Sequence, residues 1–180
     1  MLEKSLDLLL EAVPGIKRPA VLWNSSNQGS ALSLRRMEEV AAGRRVNLVS
    51  VTVDDPAAVD RSLTDLTQLH HDALILVHDP VFIPQADRIL TYCNDRRLPT
   101  MFTTSEWVTR GGLMSYEPEA GQMYRRAAAY VSRVLQGAQP KDLPIEQPTR
   151  FWLSINSKTA RALGLAVPES LLVRADHVIE

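Results

Sequence analysis

The run Ala73-Leu74-Ile75-Leu76-Val77 narrows the fold more than any other stretch, because it contains no polar side chain from end to end. A strand with one wet face alternates apolar and polar residues, whereas a strand covered on both faces does not. This strand therefore needs a layer of structure on each side, and the flanking segments carry helical patterns that can supply both layers. The expectation is a layered α/β protein rather than a barrel or a helical bundle.

The segments on either side keep the alternation going. Leu2, Leu6, Leu9, Leu10 and Val13 share one face of an opening amphipathic helix that stops at Pro14-Gly15. A strand follows at 19–23, and Asn24 to Ser30 turns into a helix over about 31–42, with Gly43 as its C-cap. A second strand is expected at 45–53, where Val46 and Leu48 alternate with Val49, Val51 and Val53. A helix opened by Asp54-Asp55-Pro56 then runs to about Leu69. Beyond the apolar strand, Ile83, Ala86, Ile89, Leu90 and Cys93 mark another helix, 99–103 a fourth strand, and Ser105 or Glu106 the cap of a brief turn. Alternating β and α with tight connections predicts a doubly wound parallel sheet with right-handed crossovers.

The character changes after Arg110. Gly111-Gly112 interrupts the pattern, Leu113 to Tyr116 reads as a short strand, and Glu117-Pro118 opens a long helix to about Gln136. Met123, Ala127, Tyr130, Val131, Val134 and Leu135 are its expected core residues. A Pro-rich connector at 137–148 follows, then a strand at 150–155 with Phe151, Leu153 and Ile155 on one face. Asn156 caps a helix at 158–163, and a terminal segment carries Leu171, Leu172 and Val178. The expected division is an α/β ligand-binding lobe at 1–110 and, at 111–180, a hinge-crossing strand, the long helix and a C-terminal strand–helix segment, which belong either to the same structural unit or to an incomplete first lobe.

Composition excludes several functions. Net charge is −1, and the basic pairs Arg35-Arg36, Arg44-Arg45, Arg96-Arg97 and Arg125-Arg126 lie far apart in charge-mixed segments, so no nucleic-acid surface is indicated. No segment approaches the ~20 apolar residues that cross a bilayer. The opening helix is interrupted by Glu3, Asp7 and Glu11, unlike a signal peptide. A single cysteine forms no intrachain disulfide and no cysteine-rich metal site, and Cys93 falls on an apolar helical face as a packed thiol. His70-His71 and His78 sit at opposite ends of a strand ~17 Å long, so they cannot share a metal ion. Phosphate-binding loops, dinucleotide fingerprints and the serine-hydrolase elbow are all missing, and neither an enzyme nor a cofactor is expected.

Three polar positions fall at the carboxyl ends of strands: the turn 24–30, Asp79, and the turn 103–106. Asn24, Ser25, Ser26, Asn27, Gly29 and Ser30 combine hydroxyls and amides with a helix N-terminus, which suits a carboxylate. Asp79 offers a carboxylate for an ammonium group. Together they would hold a zwitterion with no reactive group between them. A second reading stands beside this one: Asn24 to Asn27 cap the helix, and Asp79 before Pro80 is an N-cap followed by proline at N1.

Four motifs carry a family resemblance: AVPGIKRPAVLWNSSNQGS, DALILVHDP, GGLMSYEP leading to YRRAAAYVSRVLQGAQPKDLPIEQPT, and FWLSINSKTARALGLAVPESLLVRADHVIE. They span nearly the whole chain and resemble the C-terminal part of ABC-transporter substrate-binding proteins related to tryptophan- and phenylalanine-binding members. The resemblance implies a Rossmann-like lobe of the type I periplasmic binding fold. It further implies a small-molecule ligand such as an amino acid or related carboxylate, a membrane permease as partner, and a periplasmic location. Carried over by position, the turn 24–30 would meet the ligand carboxylate, Asp79 its ammonium group, and Ser115-Tyr116 would lie near the crossing between lobes. Family members are longer, with a leader and most of a first lobe ahead of the helix where this resemblance starts. A chain complete as it stands would hold half a cleft and stay cytoplasmic, and the apolar face of 110–136 would pack on the preserved lobe or on a second copy. The alternative expectation is a lone α/β interaction module that forms a homodimer and binds no small molecule.

Overall fold

The structure is a computed structural model that describes residues 2–180. In chain order it comprises α1 (Leu2–Ala12), β1 (Ala20–Trp23), α2 (Gln28–Arg44), β2 (Val49–Thr52), α3 (Val59–Gln68), β3 (Leu74–Leu76), α4 (Ala86–Asp95) and β4 (Thr100–Phe102). There follow α5 (Ser105–Thr109), β5 (Met114–Pro118), α6 (Ala120–Leu135), β6 (Phe151–Asn156), α7 (Ser157–Leu163), α8 (Glu169–Arg174) and β7 (His177–Ile179). Short 3-10 turns at Pro56–Ala58 and Pro80–Gln85 lead into α3 and α4.

The strands among the described residues form one seven-stranded sheet in the order β2-β1-β3-β4-β5-β6-β7. Every neighbouring pair is parallel except β5 and β6, which run antiparallel from Met114↔Ile155 to Pro118↔Phe151. The strand order turns back at β1, so β1 and β3 are adjacent while their following helices leave to opposite faces. The sheet also runs unbroken across residue 110, from β4 into β5.

The apolar β3 is explained by two cores. Ile75 and Val77 face Val21, Met101, Leu6 and Leu9 of α1, and Leu34 and Met37 of α2. Leu74 and Leu76 face Leu22, Phe102, Leu63 and Leu66 of α3, and Ile89 and Cys93 of α4. Each fully buried Leu, Ile or Val contributes about 1.5–3 kcal/mol relative to an exposed one, so successive residues of this strand stabilise opposite layers. Cys93 lies in the second core, and burial pushes its thiol up to about 12.

Helix α2 starts at Gln28 rather than at 31, because the Asn27 side chain accepts the Gly29 N–H at 2.9 Å and caps it. It also ends later than Gly43. The left-handed residue is Arg45, at φ 58°, whose N–H reaches the carbonyls of Ala41 and Ala42. Ala41 and Val46, the apolar residues that bracket this turn, are both buried, and their packing sets the stop. Residues 45 and 46 are thereby used in the helix end, and β2 is limited to the four residues that pair with β1.

At the far end, Glu117 and Pro118 belong to β5, paired with Trp152 and Phe151, and α6 begins only at Ala120. The expected core residues of α6 are not in a core: no residue of this helix is buried. Val131 is 58% exposed, Leu135 82%, and Ile145 of the connector 99%. Helix and connector leave the sheet together and hold to each other. The Tyr130 hydroxyl donates to the Pro144 carbonyl at 2.6 Å, Arg126 pairs with Glu146 at 2.9 Å, and the Glu119 N–H donates to the Arg150 carbonyl at 3.0 Å. Between them runs an apolar groove of about 620 Å³ lined by Ala127, Tyr130, Val131, Val134, Leu143 and Ile145. Asn156 caps α7 as the sequence indicates, accepting the Thr159 N–H at 2.9 Å, while its amide donates to the Val108 carbonyl.

Candidate functional site

The carboxyl ends of β1 and β3 meet where the strand order turns back, the crevice that open α/β sheets use for ligands. Asp79 ties the two ends together. Its Oδ1 accepts from Nδ2 of Asn24 at 3.0 Å and from the N–H of Val81 at 3.0 Å, and its Oδ2 accepts from Nδ2 of Asn27 at 2.7 Å. Asp79 as a residue is only 6% exposed. Burial works to raise its pKa, but the Asn27 amide, the Val81 N–H, the Asn24 amide and the charge of His78 outweigh burial and hold it below the ordinary value.

Three further polar side-chain atoms of this turn are engaged. Asn24 Oδ1 accepts the Ser26 N–H at 2.9 Å, Asn27 Oδ1 accepts the Gly29 N–H, and the Ser25 hydroxyl donates to Asp54. Asn24 and Asn27 thus each bridge backbone and carboxylate. They hold the entry to α2 in one geometry, with the helix N-terminus at the rim.

A cavity of about 370 Å³ opens beside this network. Its α2 wall is Asn27, Gly29, Ser30, Ser33 and Arg36; Val77 and His78 follow β3, Thr103 follows β4, and Leu2 and Glu3 come from the start of α1. Ser30 is 3% exposed, and its hydroxyl has no hydrogen-bond partner among the described residues. No group of acidic, histidine or cysteine side chains that could hold a metal occurs among the described residues.

The nine residues singled out in the sequence separate into four groups. Asn27, Gly29 and Ser30 line the cavity. Asn24 and Asp79 form the network beneath it, and Ser25 and Ser26 lie exposed on the outer side of the turn. Ser115 and Tyr116 do not join them. Ser115 is fully buried in the sheet, opposite Ser154 on β6, and its hydroxyl has no hydrogen-bond partner among the described residues. Tyr116 stacks on Phe151 with ring centroids 5.2 Å apart, and burial, then the charge of Asp176, raises its pKa.

Ser33, Arg36 and Glu3 were not singled out in the sequence, although one signal was available. Asn27, Ser30, Ser33 and Arg36 recur at every third residue, a slanting stripe that winds from the N-cap around the first turns of a helix starting at 28, and all four line the cavity. Starting the helix at 31 hides this stripe.

With this geometry in place, the chain can be compared with known proteins. The family model for ABC transporter substrate binding proteins matches residues 1–179. The chain belongs to this family. It is a family of binding proteins, without catalytic chemistry. A tyrosine-binding protein of Clostridioides difficile is 20% identical over 164 residues, covering 91% of this chain and 47% of that protein. Among solved structures, the ABC domain in complex with L-Trp from Streptococcus pneumoniae superposes with a TM-score of 0.91 at 22% identity, over 98% of this chain and 60% of that one. A conserved domain protein from Vibrio cholerae gives the same TM-score, 0.91, at 23% identity and the same coverage, 98% and 60%. A LacI family transcriptional regulator from Bifidobacterium animalis shares the fold at a TM-score of 0.63 and 13% identity, over 83% of this chain and 58% of that one. The fold is that of one lobe of a type I periplasmic binding protein. The chain therefore spans between about half and three-fifths of the length of these relatives. No helix among the described residues is long and apolar enough to cross a membrane.

Proposed function

We propose that this chain provides one ligand-gripping lobe of an ABC transporter substrate-binding protein, and that its ligand is a small zwitterion of the amino-acid class. The observation that carries this reading is the polar cavity at the β1–β3 switch point, walled by the first turns of α2 and seated on the Asn24–Asp79–Asn27 network. The reading gains support from two relatives, one named for tyrosine and one solved with L-Trp. In this scheme the turn 24–30 meets the ligand carboxylate, Asp79 orients that turn from below, and Ser115 and Tyr116 mark where the chain leaves the lobe. A permease is the downstream partner, and the site of action is outside the cytoplasmic membrane. The apolar face of α6 and its connector is the surface on which the second half of a cleft would pack.

Titration of the full chain with a panel of L-amino acids, followed by amide NMR, tests the proposal. Saturable shifts concentrated at 24–36 and 77–79 are expected. A folded chain that shows no shift with any amino acid up to millimolar concentration overturns it.

A second reading is favoured by the exposure of α6: a module that dimerises through this helix. It predicts a concentration-dependent dimer in sedimentation that Tyr130→Asp or Val134→Asp disrupts. A monomer at all concentrations removes it.

A further inference from the structure

With three hydrogen bonds already accepted and 6% of its surface exposed, Asp79 has little left to offer an incoming ammonium group. The cavity above it contains a different carboxylate and a cation. Glu3, in the first turn of α1, is half-buried, and Arg36 approaches from the side of α2. Neither makes an ion pair or hydrogen bond with another described residue, and they do not pair with each other although they line the same space. Two opposite charges lining one cavity, Glu3 half-buried and Arg36 exposed, neither of them partnered among the described residues, match a ligand that carries both charges itself.

A second, independent observation marks the anionic side. The Ser30 hydroxyl lies on the same α2 wall as Arg36, about one and two-thirds turns nearer the start of the helix, and is buried without a partner among the described residues. A buried hydroxyl in that state is costly unless a ligand supplies its hydrogen bond. The seventeen-residue α2 directs its positive end to the same place, and His78 lines it as well. At about 370 Å³ the cavity falls within the range of about 300–1,000 Å³ typical of small-molecule sites.

We propose that Arg36, with the Ser30 hydroxyl and the amino end of α2, takes the ligand carboxylate, and that Glu3 takes its ammonium group. Arg36 and Glu3 are then the specificity-determining pair, and the lobe selects a free amino acid over fragments that carry one of the two charges. The inference rests on the amino-acid reading above and adds the residues that discriminate.

The test is an amide NMR titration of the full 180-residue chain with L-tryptophan, tryptamine, which lacks the carboxylate, and indole-3-propionate, which lacks the ammonium group. The unaltered chain is expected to bind L-tryptophan at least tenfold more tightly than either fragment. Arg36→Gln should weaken L-tryptophan about tenfold, equivalent to about 1.4 kcal/mol, and leave tryptamine unchanged. Glu3→Gln should do the same for L-tryptophan while leaving indole-3-propionate unchanged, and Arg36→Lys should restore part of the loss. If L-tryptophan binds but both glutamine variants keep the affinities of the parent, the pair is not the discriminator while the amino-acid reading stands. Absence of binding by every amino acid removes both. The fragment comparison on the unaltered chain is decisive without any variant: equal affinities for L-tryptophan and its two fragments overturn the inference.

Discussion

Replacing Asp79 by alanine asks whether this carboxylate is a structural node of the rim. The side chain accepts the N–H of Val81 at 3.0 Å and the amides of Asn24 and Asn27 at 3.0 and 2.7 Å. The Val81 bond caps the 3-10 turn Pro80–Gln85, and loss of such a cap costs about 1 kcal/mol. Hydrogen bonds to a charged acceptor contribute about 1.5–3 kcal/mol each. Asn24 is half-buried and Asn27 exposed, so both amides recover water when the carboxylate is gone, which favours the low end of that range. The sum is a destabilisation of about 4 kcal/mol. Urea unfolding followed by circular dichroism reads it as a lowered midpoint with an unchanged slope. Asp79→Asn keeps one acceptor oxygen and should lose about half as much. A loss below about 1 kcal/mol in the alanine variant would refute the view that this carboxylate holds the β1 and β3 ends together.

The same group makes an acid-limb prediction. Its pKa is lower folded than unfolded, where a carboxyl titrates near about 3.9, so the unfolded chain takes up the proton first on acidification. The stabilisation by Asp79 is complete above the unfolded value and is lost as pH falls through the folded one. The stability gap between the parent chain and Asp79→Asn should therefore shrink on acidification below about pH 4, as midpoints measured across that range will display.

Gly112→Ala would place a methyl carbon 2.4 Å from Cε2 of Phe102 and 2.9 Å from the Trp107 carbonyl oxygen. Since Phe102 is fully buried and stacked on Trp107, a loss of about 2–3 kcal/mol is expected in denaturant titration. Cys93, buried with its thiol pushed up to about 12, should resist a disulfide exchange reagent at neutral pH and react only at the rate of unfolding. Val134→Asp, on a helix with no buried residue, should shift the unfolding midpoint of the isolated chain by no more than about 0.5 kcal/mol equivalent.

The layered sheet was legible because the interior strand β3 has no polar residue and the helices flanking it carry one apolar face each. The two cores are what Leu74-Ile75-Leu76 requires. Boundaries were less legible where packing overrode local preference: Arg45, not Gly43, takes the left-handed turn because Val46 is drawn inward. For α6 the periodicity was readable, but periodicity gives a face and not what covers it. At the rim, both readings of Asp79 were visible in the sequence, and the hydrogen bonds to Val81, Asn24 and Asn27 display the capping one. That Arg36 and Glu3 line one cavity was not visible, because they lie on two helices whose adjacency comes from packing on the same face of the sheet rather than from any local spacing.

The antiparallel return of β6 beside β5 has a topological consequence. The chain leaves the sheet at Pro118 and re-enters at Phe151, and these two residues are themselves a cross-strand pair. Cutting the connector would therefore remove no element from the sheet, and the two pieces would remain associated through five cross-strand partners, Met114↔Ile155, Ser115↔Ser154, Tyr116↔Leu153, Glu117↔Trp152 and Pro118↔Phe151. The same spot can be opened to give new chain termini, or can accept an inserted domain, without disturbing the order of strands around the ligand rim.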